Sequence, residues 1–72
     1  MGRRSNSDDP YAALRRRRFE SAVIGLASTR PLSSITTRSI CIRAGMGRHA
    51  FYKVFESVEE ARAYARDRRR QT

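Results

Sequence analysis

Apolar side chains along the first third of the chain fall at Leu14, Phe19, Ala22, Val23, Leu26 and Ala27. The run 19, 22, 23, 26 has the spacing of one face of an α-helix, so a single sticky stripe is expected there. Asp9 is a good N-cap and Pro10 suits a first helical turn, which predicts a helix from these residues to about Ser28. Thr29-Arg30-Pro31 ends it, because the residue before a proline avoids helical angles. Gly25 is a weak point inside the helix.

Pro31 to Ile35 reads as a short polar loop. Thr36 is then an N-cap for a second helix, Thr37 to Ala44, with Ile40, Cys41 and Ala44 on one face and Arg38 and Arg43 pointing elsewhere. Gly45 closes that helix, since glycine takes left-handed angles at low cost. Met46 and Gly47 bridge to a third helix from about Arg48 to Phe55. Ser57 opens a fourth, with Glu60 completing a capping box and Val58, Ala61 and Ala65 forming a thin apolar stripe. No strand pattern and no internal repeat appear. The predicted class is all-α, a small four-helix domain over residues 9–72, preceded by a disordered basic arm over 1–8.

Charge narrows the partner. The chain has 72 residues, with 16 Lys and Arg against 7 Asp and Glu, a net charge of +9. A chain this short buries only about 60% of the surface its unfolded form exposes, which leaves little room for a walled active-site cleft. The excess of cations makes a polyanion the expected partner. All but one of those cations are arginine, whose planar fork suits phosphates and guanine edges; Lys53 is the exception. Cys41 is the single cysteine, so no internal disulfide forms, and its apolar neighbours mark it as core. No apolar run approaches the ~20 residues needed to cross a bilayer, and no signal segment follows the basic start. A soluble protein in a reducing compartment, without membrane contact, is the expectation.

Two short helices joined by a glycine-containing turn over about residues 36–55 describe a helix-turn-helix, whose second helix enters the DNA major groove. On the third helix Phe51 and Phe55 share one face, while Arg48, His49, Tyr52 and Lys53 form a contiguous stripe on another. One side packs and the other reads. Arg48, in the first turn, suits guanine O6 and N7. His49 can donate to a base edge or phosphate, and Tyr52 and Lys53 suit phosphate oxygens. Thr36 and Thr37 stand where a helix N-terminus holds phosphate, and Arg38 is a further phosphate candidate. With Gly47 at the start of the third helix, these residues make up the candidate DNA-binding set.

The stretch SITTRSICIRAGMGRHAFYKVFESVEEA resembles the DNA-binding domain of the TetR (tetracycline repressor) family. Thr36, Thr37, Ile40, Ala44, Gly45, Tyr52 and Phe55 match the family's pattern, and RRRRFESAVIGLA resembles its first helix. The likeness spans about residues 15–62. It implies a bacterial, nucleoid-associated transcriptional regulator of the cytoplasm, in which Tyr52 and Lys53 hold phosphates while Arg48 and His49 contribute to base reading. Ala50 and Val58 stand where the pattern carries phosphate-binding side chains, so those two contacts are not carried over. Family members also have a C-terminal domain that binds a small ligand and dimerises. It is absent from these 72 residues, and a homodimer is expected only where it exists.

Other classes fit less well. Ser, His and acidic residues are not arranged as nucleophile, base and orienter, so no enzyme and no cofactor are expected. His49 has no partner at metal-ligand spacing, so no metal is expected either. A basic RNA-binding or ribosome-associated protein would stack aromatics on unpaired bases, yet only Tyr52 of the recognition-helix aromatics is predicted to be exposed. A protein-interaction module using the fourth helix is the remaining alternative.

Overall fold

A computed structural model describes the backbone of residues 9–71 and the side chains of residues 9–69. The basic arm expected over residues 1–8 lies outside them. The chain is all-helical: α1 spans Ala12–Ala27, α2 Thr37–Ala44, α3 Arg48–Val54 and α4 Val58–Gln71, with a 3-10 turn at Leu32–Ser34 between α1 and α2. Among the described residues there is no strand.

α1 starts later than the sequence predicts. Asp9 organises a turn ahead of the helix instead of capping it: its Oδ1 accepts from the Tyr11 amide at 3.0 Å, and its Oδ2 accepts from Arg15 Nη2 at 2.7 Å. The guanidinium of Arg15, and then the Tyr11 amide, hold the Asp9 carboxyl below its ordinary range. The apolar stripe runs from Phe19 through Ala22, Val23 and Leu26, as their spacing predicts. Leu14 is 45% exposed and faces the cleft between α1 and α2.

Every α-helix contributes to the core, α1 the most, with Phe19, Ala22, Val23, Leu26 and Ala27. Phe19 of α1 meets Phe51 of α3 edge-on, with ring centroids 5.8 Å apart at 75°, and Phe51 leans on Phe55 at 5.7 Å. Such pairs add roughly 0.5–1.5 kcal/mol to the burial of their area. Ile40, Cys41 and Ala44 close the α2 side, and Ala61 and Ala65 let α4 approach closely. Tyr64 on α4 stacks on Phe55 at 5.9 Å; burial, then the charge of Glu20, push its phenol up.

The loop over 31–35 is not simply polar. Ile35 at its end is fully buried. From α4, Arg62 donates through Nε and Nη2 to the Ile35 carbonyl at 3.0 and 2.7 Å, and through Nη2 to the Ser33 carbonyl at 3.5 Å. The basic part of α4 is engaged as far as Arg69. Arg69 Nη2 donates to the Ala27 carbonyl at 3.1 Å, satisfying an acceptor left open at the end of α1, and Arg68 lies over the Tyr64 ring. At the start of α4, Ser57 Oγ accepts from the Glu60 amide, while the Glu60 carboxylate accepts from the Glu56 amide, one residue earlier than a capping box requires.

Gly25 sits inside α1, where glycine costs roughly 0.5–1 kcal/mol relative to alanine. A Cβ there would lie 2.7 Å from Nε and Nη2 of Arg43, so the missing side chain is the space that the Arg43 guanidinium occupies against α1.

Candidate nucleic-acid interface

α2 is delimited at both ends by its own sequence. Thr36 has extended angles and its Oγ1 accepts from the Ser39 amide at 3.0 Å; the Ser39 Oγ in turn accepts from the Thr36 amide at 3.0 Å. Two open donors are thereby satisfied reciprocally. At the other end Gly45 takes φ 73°, and its amide and that of Met46 return to the Cys41 carbonyl at 2.9 and 3.1 Å. A side chain is strained at that φ, so Gly45 makes the turn. Gly47 does not share the task. Its φ of −87° and ψ of 177° are open to any residue, and nothing lies within 4 Å of a Cβ placed there.

α3 opens at Gly47 with no side-chain cap, and tertiary packing holds it. Phe51 is 0% exposed and Phe55 is buried beneath it, while Arg48, His49 and Lys53 are exposed and Tyr52 is 53% exposed. The ring of Tyr52 rests edge-on against Phe51 at 5.0 Å, which leaves its phenol at the surface. Among the described residues neither Arg48 nor Lys53 makes an ion pair.

The other predicted contacts divide. Arg38 is exposed and lines the same open groove as Arg48, about 620 Å³ in volume, between α2 and α3. Gly47 lines it too. Thr37 is half-buried, and the Thr36 hydroxyl is already engaged in the cap, so its capacity for a phosphate is reduced. One groove residue escaped the sequence reading: Ile42, 69% exposed. It lies one turn after Arg38, off the face formed by Ile40, Cys41 and Ala44, and that register was the available signal. Cys41 forms the inner wall; burial pushes its thiol up, against the opposing pull of Arg48, and it stays protonated.

Lys53 also approaches the start of α1, where it lines a second groove with Asp9, Arg15 and Arg16. Arg15 is committed to Asp9 and Arg16 lies 3.8 Å from Glu20, so these two cations are partly neutralised where they stand. Compared with protein-family profiles, curated proteins and solved structures, the chain gave no match. Among the described residues no helix is long and apolar enough to cross a membrane, and no group of three or more His, Cys, Asp or Glu side chains is placed to hold a metal ion.

Proposed function

We propose that this chain binds double-stranded DNA sequence-specifically through a helix-turn-helix, in the manner of a TetR-like transcriptional regulator, with α3 in the major groove and its place of work on the bacterial nucleoid. The observation that carries the reading is the division of α3. Phe51 and Phe55 are locked into the core while Arg48, His49, Tyr52 and Lys53 stand outward, and among the described residues neither Arg48 nor Lys53 is in an ion pair; the one carboxylate that shares a groove with Lys53, Asp9, is paired with Arg15. A helix rigidly held by one face and cationic on the other has the properties that major-groove recognition requires. Arg38 adds a second guanidinium from α2 to the same groove. In this role Arg48 reads guanine, and Lys53, Tyr52 and Arg38 fix the register on the phosphates.

Selection of bound duplexes from a random pool tests the reading. A recovered consensus supports it, and a palindrome would point to a dimer. Arg48→Ala should flatten sequence preference at one position, at a cost of roughly 1–3 kcal/mol on the preferred site, while sparing nonspecific affinity. Equal loss on every sequence would remove Arg48 from base reading.

A further inference from the structure

A second cationic surface adjoins the recognition groove at the end of α2. Arg17, Arg18 and Arg43 converge on an open cleft of about 350 Å³ between α1 and the end of α2, together with the Ser21 hydroxyl and an apolar wall from Leu14 and Ala22. No carboxylate lines it. The ion pairs of α1 go to Arg15 and Arg16 instead. Among the described residues, Arg17 and Arg43 make no hydrogen bond or ion pair, and Arg18 makes one long bond, 3.4 Å, to the Ala44 carbonyl.

The plain explanation is that these arginines offset the negative end of α2. That end carries only about half an elementary charge, against three guanidiniums, so most of the positive charge is left over. The glycine inside α1 points the same way. Leu14, Arg18, Ser21 and Gly25 fall at i, i+4, i+7 and i+11, one stripe of α1, and Gly25 is the position that admits the Arg43 guanidinium. A helix interior disfavours glycine, and here the glycine leaves room for one of three cations that line the same cleft.

We propose that this cleft is a binding site for a phosphate ester. The three planar forks and the hydroxyl match the oxygens of a phosphate, and the wall of Leu14 and Ala22 suits a phosphate carried on a carbon skeleton. The ester is either a backbone phosphodiester flanking the recognition groove or a soluble phosphorylated compound; only the first of these rests on the DNA reading.

Amide NMR titrations with adenosine monophosphate and with pyrophosphate, and the salt dependence of duplex binding, test it in the full chain. The variants are Arg17→Gln combined with Arg43→Gln, and Ser21→Asp, which sets a carboxylate among the arginines. Arg18 is kept because it holds the Ala44 carbonyl. The expected result is saturable shifts at Ser21, Ala22, Gly25 and Ala44 that both variants lose, or a slope of log affinity against log salt that becomes shallower by about 0.9 for each phosphate released. Loss of the shifts with an unchanged slope assigns a soluble ligand; a shallower slope assigns the nucleic-acid backbone. Absence of saturable shifts with both probes, together with an unchanged slope, overturns the site, as do variants that behave like the unmodified chain in both measurements. Should the charge-removing variants fail to fold, Gly25→Ala keeps the test open: it displaces the Arg43 guanidinium without removing charge and should weaken uptake severalfold, and undiminished uptake would overturn the site. A chain that ignores every duplex but still takes up pyrophosphate at these amides retires the DNA reading and leaves this one standing.

Discussion

α2 and α3 are neighbours of nearly equal length, eight residues and seven, but they are stabilised in different ways. α2 has a reciprocal cap at Thr36 and Ser39 and a left-handed glycine at its end. α3 has an uncapped glycine at its start, and its position depends on Phe51 and Phe55 meeting rings from other elements. Isolated helices of this length are not stable in water. The difference therefore concerns where each helix gets its limits: both pack on the core, but adjacent residues also delimit α2 at both ends, and α3 lacks such caps. A surface that must present Arg48, His49 and Lys53 at a fixed angle gains from the second arrangement, because the core sets the angle.

Phe51→Ala should break this comparison most severely. Losing a fully buried ring costs roughly 3–5 kcal/mol, comparable with the whole stability of a domain this small, so thermal unfolding followed by circular dichroism should lose its cooperative transition. Thr36→Ala removes the cap of α2 and should cost about 1 kcal/mol in chemical denaturation. Amide exchange should quicken in the first turn of α2 and stay nearly unchanged in α3; equal quickening in both would show that α2 is as dependent on the core as α3.

What the sequence made legible follows the same division. The limits of α2, its cap and its terminal glycine were readable because they are encoded within a few residues. Phe19, Phe51 and Phe55 were readable as core from their spacing. Ile35 was not, because one apolar residue in a polar stretch has no period, and its burial comes from joining the core in three dimensions. The role of Asp9 was misjudged since its acceptors serve Tyr11 and Arg15 ahead of the helix. Of the candidate contacts, the exposed stripe on α3 followed from periodicity. The partial withdrawal of Thr36 did not, as it depends on which hydroxyl the cap consumes.

Smaller changes sharpen the comparison. Gly47→Ser should supply the cap that α3 lacks; with extended angles and open space at that position, a gain of a few tenths of a kcal/mol is expected from denaturant midpoints. A loss would show that Gly47 is needed for the turn after all. Asp9→Asn should have the smallest effect. The folded carboxyl is depressed, so its contribution is present above the usual carboxylate pKa and disappears as the solution is acidified through the folded value. The melting temperature should therefore drop slightly at neutral pH and match the unmodified chain once the solution is acid enough to protonate the folded carboxyl.

Ile35 is the residue immediately before Thr36, and its carbonyl is gripped twice by the guanidinium of Arg62. The first turn of α2 and the middle of α4 are thus geared to one another through a single side chain. Neither helix can slide along its axis without dragging the other or surrendering two charge-assisted bonds, so a tilt imposed on α4 is delivered at the threshold of the turn motif.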